Sequence, residues 1–511
     1  MSHGGRSFLL RLFKDECGQT LPVMALLTGL FLGMGGLTLD LGRAFVAYRE
    51  LQASTDAAAL AGGYAMSLSS ATTTSVTYTV DAFSSVPAGY AYSGSPAGAN
   101  AAATLPNATI APPAFKCLSA VTTMGVACSS SPLGYNAIQV QQSVTLPTFF
   151  IRALGLFGIS SAKSLTLTAT STASMRGAAN AQYNVAVVID TTASMGSADS
   201  DKNCGSYTTR ISCALAGVQS LLSFLTPCTA SSTSTSCTGF DQVSLFTFPN
   251  VQANTASNDT TCPTSAPTIL PYSTPAVGAT WSAPTGTAAT YQITGYSDNY
   301  SSTNQVGGAI NASSALGIAT GAGVGTKSKP CTGLQTPGGE GTYFAGVIYA
   351  AASSLVAAQA ANPGSQNALV ILSDGDSTAT SGHISGTLTT TGLYPSLLDQ
   401  CKQAVTAAQY ASSLPNTTVF SIAYGASSSG CSSDVYNKTT NPNGTNITPC
   451  QTMQQMASNA GTFYSDAGTT QNSGQCLSSD NGDFTSLQQI FQNVADHLTY
   501  SRLIPDSWWS S

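Results

Sequence analysis

The run Asn184-Val-Ala-Val-Val-Ile-Asp-Thr-Thr-Ala-Ser-Met-Gly196 places five apolar residues directly before an acid and three hydroxyl side chains. An unbroken apolar run that ends in turn-forming residues is typical of a strand buried on both faces of a parallel sheet. The run Ala368-Leu-Val-Ile-Leu-Ser-Asp-Gly-Asp376 repeats the pattern, with Asp374 at its end. Because ligands bind at the carboxyl ends of parallel strands, the two runs predict one shared site.

From about residue 182 onward, apolar strands alternate with helical patterns, which predicts a doubly wound α/β sheet. Apolar side chains recur at helical spacing over 211–225 and predict a helix packed on the sheet. The other predicted elements are strands at 243–248, 368–373, 418–423 and 461–464, and helices at 342–360, 394–413, 449–460 and 484–500. The Ser/Thr/Pro/Gly-rich stretch at about 249–339 is long for a loop and predicts an insertion that borders the binding face or folds on its own.

The candidate ligands are side chains with an oxygen atom, namely Asp190, Thr192, Ser194, Thr342 and Asp374. Carboxylate and hydroxyl oxygens suit a hard divalent cation, so Mg²⁺ is expected, with Mn²⁺ or Ca²⁺ as alternatives. Two threonines remain open for the third loop, Thr342 and Thr336, and Gly341-Thr342 is favoured because it directly opens the next helix. An Asp-x-Thr-x-Ser run alone also suits a helix N-cap or an Asx turn. Its position after an apolar strand favours the metal site.

This arrangement resembles the metal-ion-dependent adhesion site of von Willebrand factor A (vWA) domains, with Thr192 where that family usually has Ser. The resemblance implies a Rossmann-like vWA domain over residues 180–505, in which Asp374 contacts the ion through water. It also implies that the ion keeps one position held by water. An acidic group of a protein partner displaces that water, so the site binds a partner.

Composition excludes several other classes of protein. Only 7% of the residues are charged, against roughly 25% in ordinary soluble domains, which favours an extracytoplasmic surface protein. The net charge of −6 and the lack of Lys/Arg clusters argue against nucleic-acid binding. With only His3, His383 and His497, and no nucleophile placed beside a base, we expect no enzymatic activity.

Thirteen cysteines are present, and all except Cys17 follow an apolar N-terminal segment. An even number on that side predicts up to six disulfides in an oxidising compartment, with the pairing open. The candidates that are close in sequence, or that could tie the ends of the insertion, are Cys117 with Cys128, Cys262 with Cys331, and Cys204, Cys213, Cys228 and Cys237 among themselves.

The apolar N-terminal segment covers residues 21–41. At ~1.5 Å per residue its length matches a bilayer core of ~30 Å, which predicts a transmembrane helix after a cytoplasmic tail of residues 1–20. Arg6, Arg11 and Lys14 precede it, so the positive-inside rule places the N-terminus in the cytoplasm. A cleaved signal peptide is the alternative, although the segment is longer than a usual signal core. Good helix formers continue the helix to about residue 66.

The order Gly18…Leu39-Asp40-Leu-Gly-Arg43…Leu51-Gln52…Asp56-Ala-Ala-Ala-Leu-Ala61 resembles the pilin-like N-terminus of TadE/TadG proteins. The chain as a whole therefore resembles a TadG-like Flp/Tad pilus-assembly protein. This implies a single-pass protein of the bacterial inner (cytoplasmic) membrane with a large periplasmic or extracellular domain. Asp40 and Arg43 are close enough in a helix to pair.

Residues 67–178 predict a β-rich spacer between the helix and the parallel sheet. Ile138, Val140 and Val144 lie on alternate positions, as do Leu165 and Leu167, and this is the period of half-buried strands. A compact apolar turn or short helix is expected between these strands.

Together these patterns predict a membrane-anchored component of a bacterial Flp/Tad pilus or secretion apparatus. Its vWA domain would bind a protein partner, another pilus-assembly component that offers a carboxylate to the metal. The alternative is a surface adhesin that uses the same site against host or matrix ligands. A hydrolase or metalloprotease is disfavoured by the sparse histidines and the lack of an HExxH motif.

Overall fold

The computed structural model describes residues 20–68, 71–87, 105–123, 126, 128, 131–149, 164–175, 182–199, 208–225, 241–253, 262, 267–302, 308–325, 331–467, 476–478, 486–499 and 501–510. Within these ranges the chain is a mixed α/β structure with two sheets. One sheet has five strands and is antiparallel, and the other has seven strands and is mainly parallel.

The first part of the chain contains one long helix and most of the antiparallel sheet. Its elements are α1 (Thr20–Ala65), α2 (Thr73–Ala82), β1 (Ala108–Ile110), β2 (Ala114–Lys116), α3 (Ser119–Thr123), β3 (Ala137–Pro147) and β4 (Ser164–Ser174). The short helix expected after β3 falls on residues outside the described ranges.

The second part contains the parallel sheet and its helices. Its elements are β5 (Tyr183–Asp190), α4 (Arg210–Phe224), β6 (Gln242–Gln252), β7 (Ile269–Leu270), β8 (Ala289–Ser297), α5 (Ala315–Ala319), α6 (Ala345–Ala361), β9 (Gln366–Ser373), α7 (Gln400–Ser413), β10 (Thr417–Ala423), α8 (Pro449–Met456), β11 (Phe463–Ser465), α9 (Leu487–Leu498) and β12 (Arg502–Ile504). Single turns of 3-10 helix add Ala193–Gly196, Ser432–Asp434, Ala460–Thr462 and Asp506–Ser510.

The strand order in the larger sheet is β11-β10-β9-β5-β6-β7, and β8 also pairs with β6. Strand β5 lies at the centre and runs parallel to both β6 and β9. Its register pairs Ile189 with Leu372. Consequently the residues that follow, Asp190 on one strand and Ser373-Asp374 on the other, emerge side by side at the same edge.

The side chains of β5 explain why its sequence is apolar without interruption. Val185, Val187 and Ile189 belong to a buried cluster with residues of α4 and α9. The intervening Ala186 and Val188 belong to a second buried cluster with residues of α6, α7 and α8. Helices therefore cover both faces of the sheet, and neither face of β5 tolerates a polar side chain away from the strand end.

Helices α4 and α9 approach closely on one face of this sheet. A Cβ atom added at Gly217 of α4 would lie 2.3 Å from Cδ2 of Phe491 in α9. Both Val218 and Phe491 are fully buried there. Only glycine at position 217 leaves room for the aromatic ring, since protein interiors hold few voids.

The stretch expected to be an insertion contributes strands to the parallel sheet. Within it, β7 and β8 both run antiparallel to β6, and Tyr291 and Ile293 of β8 are buried. The expected disulfide between Cys262 and Cys331 is present. The stretch is therefore closed by its own disulfide and joined to the parallel sheet by strand pairing.

The antiparallel sheet has the order β1-β3-β4-β12, with β2 also on β3. Its last strand comes from the far end of the described chain, because Arg502–Ile504 pairs with Ser174–Thr172 of β4. Ile504 joins a buried cluster with Ala58 and Ala59 of α1. The C-terminal half of α1 is thus part of this core.

Polar residues of α1 fix the helix to the sheet. Gln52 Nε2 donates hydrogen bonds to Asp56 Oδ1 (2.8 Å) and to Ser171 Oγ of β4 (2.9 Å), and Ser171 Oγ donates to Asp56 Oδ1. Nearer the start of the helix, Asp40 Oδ1 accepts a hydrogen bond from the backbone N–H of Phe149 (3.1 Å).

Arg43, which the sequence places near Asp40 on the helix, contacts the ring of the same Phe149. Its guanidinium carbon lies 4.5 Å from the centre of the Phe149 ring, a cation–π arrangement. Asp40 and Arg43 therefore both contact Phe149, which lies two residues after the end of β3. Asp40 binds its backbone N–H, and Arg43 packs on its ring.

No helix in the described residues is both long and apolar enough to cross a membrane. The prediction of a transmembrane helix over residues 21–41 is therefore wrong. These residues instead form the first part of α1, which continues without a break to Ala65. Thr28 and Thr38 lie among them and donate hydrogen bonds to the carbonyls of the preceding turn.

Four disulfides lie within the described residues. The pairs Cys117–Cys128 and Cys262–Cys331 confirm two expected pairings. The pairs Cys401–Cys431 and Cys450–Cys476 were left open by the sequence. Cys213 is also a disulfide cysteine, whereas Cys204, Cys228 and Cys237 lie outside the described residues. The number of disulfides indicates an oxidising compartment.

Candidate functional site

The carboxyl end of β5 carries the first three predicted ligands. Asp190 is fully buried, and its Oδ1 accepts hydrogen bonds from the backbone N–H (2.9 Å) and the hydroxyl (2.6 Å) of Thr192. The chain then turns through the 3-10 segment Ala193–Gly196. This turn brings Ser194 Oγ to 3.2 Å from Thr192 Oγ1, so three side-chain oxygens gather around one strand end.

The neighbouring strand β9 supplies two more groups. Ser373 Oγ donates a hydrogen bond to Asp190 Oδ2 at 2.6 Å, and the carboxylate of Asp374 accepts one from the hydroxyl of Ser194. Gly375 follows with a φ of +78°, and a Cβ there would lie 2.5 Å from the carbonyl oxygen of Pro449. Glycine at this position therefore lets the chain turn directly after the acid.

The loop before α6 adds the fourth hydroxyl. Thr342 Oγ1 lies 3.4 Å from Thr192 Oγ1, and Thr342 is almost fully buried. The alternative, Thr336, lies beside Gly196, because its Oγ1 is 2.7 Å from the position of a Cβ at that glycine. The structure thus brings together all five predicted oxygen ligands, and it places Thr342 in direct contact with the hydroxyl of Thr192.

Two buried carboxyl groups share this small space. Burial and the charge of Asp374 together raise the pKa of Asp190 to about 7, although hydrogen bonds from Ser373 and Thr192 oppose the shift. Burial also raises the pKa of Asp374, whereas hydrogen bonds from Asp376 and Ser194 lower it. Ionising both acids here is unfavourable unless a positive charge lies between them.

The arrangement fits a hard divalent cation. In an Mg²⁺ octahedron with ligands at about 2.1 Å, neighbouring oxygens are ~3 Å apart. The hydroxyl of Thr192 is 3.2 Å from that of Ser194 and 3.4 Å from that of Thr342. The spacing of the three hydroxyl oxygens therefore fits such an ion, and the carboxylates of Asp190 and Asp374 could supply the negative charge beside it.

Ser373, Tyr272 and Arg210 also belong to this region and were not singled out from the sequence. Ser373 had a visible signal, since it directly precedes Asp374 in the same run. Tyr272 is fully buried and donates a hydrogen bond to the carbonyl of Gly341. The positive charge of Arg210 lowers the pKa of Asp374. Tyr272 and Arg210 come from distant parts of the chain, so local patterns could not identify them.

The acids in the loop after Ser194 have different surroundings. The backbone N–H of Asp199 donates a hydrogen bond to the carbonyl of Thr208. Burial raises the pKa of Tyr424 above its ordinary value, and the charge of Asp199 adds to this effect. Asp201 lies outside the described residues. Asp199 is thus placed beside a tyrosine.

One further group of ligand-type atoms consists of Asp376, Cys401 and Cys431, which lie within 4.8 Å of one another. The two cysteines form a disulfide, so neither offers the thiolate that binds metals. Asp376 Oδ1 accepts a hydrogen bond from the backbone N–H of Cys431 (2.7 Å). This group therefore stabilises a loop and is not a metal site.

The N-terminal segment matches a known protein family. Residues 18–67 match the Flp pilus-assembly TadE/G-like family, designated Tad. This supports the predicted resemblance for the helix α1 segment and indicates a cell-envelope protein associated with pili. The matched residues do not include Asp190, Thr192, Ser194, Thr342 and Asp374 (the strand-end cluster). The resemblance to a vWA domain therefore stays a prediction. No curated protein matches the chain in sequence.

Three solved structures are similar over part of their length. The proximal thread matrix protein 1 of the mussel byssus is 12% identical over 62% of this chain and 48% of that chain, with a TM-score of 0.22. The three N-terminal domains of the type V pili tip protein of Porphyromonas gingivalis are 11% identical over 70% and 53%, with a TM-score of 0.24. The adhesive tip pilin of Group B Streptococcus agalactiae is 9% identical over 73% and 67%, with a TM-score of 0.29.

This chain spans about half the length of the first two of these structures.

Proposed function

We propose that this protein is a cell-envelope component of a bacterial Flp/Tad-type pilus or secretion apparatus whose strand-end cluster binds a protein partner through a divalent cation. The observation that carries the proposal is the convergence of Asp190, Thr192, Ser194, Thr342 and Asp374 at one sheet edge. The match of residues 18–67 to the Tad family supports the pilus association.

The roles of the side chains follow from their contacts. A bound divalent cation supplies positive charge and one coordination position for an acidic group of the partner. Asp190 is held by hydrogen bonds to both of its oxygens, so its carboxylate is fixed before a ligand arrives. Ser194 orients Asp374 by the hydrogen bond between them. Pre-organised ligands reduce the free-energy cost of ordering on binding.

The proposal assigns the cluster to binding and gives it no catalytic step. Of the other potential bases, His497 is exposed, its ring lies edge-on to the rings of Phe420 and Tyr464, and desolvation lowers its pKa. It therefore packs against the sheet at the surface of α9.

Titration calorimetry of the purified full chain with Mg²⁺ and Mn²⁺ tests the metal site. We expect wild type to bind one ion and Asp190→Ala to lose the binding, because the central carboxylate is removed. Thr342→Ala should weaken the binding, whereas Thr336→Ala, its matched control, should leave it unchanged. Equal affinity in wild type and Asp190→Ala would contradict the proposal.

The partner is tested by crosslinking in the native cell, followed by mass spectrometry, with Asp190→Ala as the control. We expect wild type to capture a pilus-assembly component and the variant to capture much less of it. Metal-dependent capture of a host or matrix ligand would favour the alternative, a surface adhesin, over the pilus role.

A further inference from the structure

A cavity of about 270 Å³ lies beside the strand-end cluster. Three separate segments line it: the insertion around Tyr272, the loop Gly338–Glu340, and the loop around His383. A Cβ at Gly338 would lie 3.3 Å from the Cβ of Ala193, which stands between Thr192 and Ser194. One wall of the cavity therefore packs directly on the turn that carries two candidate ligands.

Glu340 is the unusual residue of this cavity. Its side chain is only 5% exposed, and neither carboxylate oxygen finds a hydrogen-bond partner among the described residues. Buried polar atoms are nearly always paired, because an unpaired one loses its contacts with water without replacement. Two such atoms on one side chain indicate that the partner of Glu340 is a ligand.

The neighbouring cavity residues have their own partners and do not neutralise Glu340. The Tyr272 hydroxyl donates to the carbonyl of Gly341, and the Tyr272 backbone N–H donates to the carbonyl of His383 at 2.6 Å. The Nδ1 atom of His383 accepts a hydrogen bond from the backbone N–H of Thr380 at 3.1 Å. A ring nitrogen that accepts a hydrogen bond is not available as a donor to Glu340.

The walls are also held firmly in place. The backbone of Tyr272 bonds both to His383 and to Ser385. Gly341 adopts a φ of +61°, and a Cβ there would lie 2.8 Å from the carbonyl oxygen of Thr378. These contacts fix the cavity walls, and with them the position of the Glu340 carboxylate.

We propose that this cavity is a subsite for an arginine side chain of the protein partner, with the guanidinium bound by both oxygens of Glu340. Two unpaired oxygens on one carboxylate match the two parallel N–H groups of a guanidinium. The assignment to the same partner rests on the proposed function. The partner segment then carries an arginine beside an acidic residue, the first for Glu340 and the second for the cation.

The test uses the full chain and two small probes without a carboxylate, N-acetyl-arginine amide and its uncharged isostere N-acetyl-citrulline amide. Binding is measured by ligand-observed NMR in EDTA, so that no metal takes part. We expect wild type to bind the arginine probe about tenfold more tightly than the citrulline probe. Glu340→Gln should abolish that difference, and Glu50→Gln, which alters an exposed glutamate on α1, should preserve it.

Equal binding of the two probes to wild type, or an unchanged difference in Glu340→Gln, would overturn the proposal. Asp190→Ala separates this outcome from failure of the metal site. If the variant loses metal but keeps the preference for arginine, both proposals stand. If wild type binds no metal yet prefers arginine, the subsite stands and only the metal-dependent function fails.

Discussion

Asp190 is a carboxyl group that folding places in an environment unsuited to its charge. It is fully buried, and burial together with Asp374 raises its pKa to about 7. Asp190 therefore keeps its proton up to about pH 7. A cation bound at the proposed site would displace that proton, which would couple the affinity to pH.

We predict that the metal-free protein becomes less stable as the pH rises from about 4 to about 7. The unfolded carboxyl loses its proton near pH 4, whereas folded Asp190 keeps it until about 7. The folded state thus holds the extra proton in this window, and raising the pH lowers the free energy of unfolding, by on the order of 4 kcal/mol. Urea unfolding in EDTA at several pH values measures the slope.

Asp190→Asn is the control for this slope, since its amide does not titrate, and it should show a flatter pH dependence than wild type. Mg²⁺ should also flatten the wild-type curve by replacing the proton. Identical slopes for wild type and Asp190→Asn in EDTA would show that another group is responsible.

Asp190, Thr192, Ser194 and Asp374 could be singled out from the sequence because they follow apolar runs. Asp190 and Asp374 each end a strand whose apolar pattern is unmistakable. Tyr272 and Glu340 could not be identified in this way, because they lie in a Ser/Thr/Pro/Gly-rich stretch without periodicity. Their importance comes from the cavity that three distant segments form.

The packing of α4 against α9 on one face of the parallel sheet requires a glycine at position 217. At Gly217 of α4 a methyl group would collide with the buried ring of Phe491 in α9. At Gly42 of α1 no atom lies within 4 Å of the corresponding position. The same substitution should therefore have opposite effects in the two helices.

We predict that Gly217→Ala lowers the free energy of unfolding by about 1 to 3 kcal/mol, since overpacking outweighs the gain in helix propensity. Gly42→Ala should raise it by up to about 1 kcal/mol, because only the propensity changes. Chemical unfolding of both variants measures the difference. A stabilised Gly217→Ala protein would show that Phe491 moves aside at no cost.

The sequence predicts where helices and strands lie better than it predicts the residues at which they end or the strands with which they pair. The expected helix at 394–413 begins at Gln400, because the preceding Asp399 has a φ of +54°, which a helix does not accommodate. Helix α2 lies within the stretch predicted as a β-rich spacer, and the Thr and Val residues frequent in its sequence favour strands. Its capping box of Thr72 and Ser75 and the buried pair Val76 and Val80 override that preference.

At the scale of the whole molecule, the last strand of the described chain belongs to the antiparallel sheet, which is otherwise formed by the first part of the chain. Strand β12 pairs with β4, and Lys116 Nζ donates a hydrogen bond to the carbonyl of Trp509 at 2.6 Å. No sequence pattern predicted this return, because a strand of three residues has almost no periodicity. The core of the antiparallel sheet is complete only when both ends of the described chain are present.

We predict that Ile504→Ala destabilises the antiparallel sheet by about 2 to 5 kcal/mol, because it empties a buried position. Leu503→Ala, on the adjacent and 43% exposed residue, should cost less than about 1 kcal/mol. Hydrogen exchange at Thr172–Ser174 measures the local effect. Equal exchange rates in the two variants would mean that β12 contributes nothing to this core.

The return of the chain also sets an order of events during synthesis. Arg502 follows Ser174 by 328 residues, so β4 leaves the ribosome long before the strand that covers it. Until then the backbone groups of Thr172–Ser174 that later pair with β12 form an open strand edge, a template for aggregation. Strands β5 to β11 are all translated in the interval. The antiparallel sheet is therefore the last part of the described fold to be completed, although most of its strands are translated first.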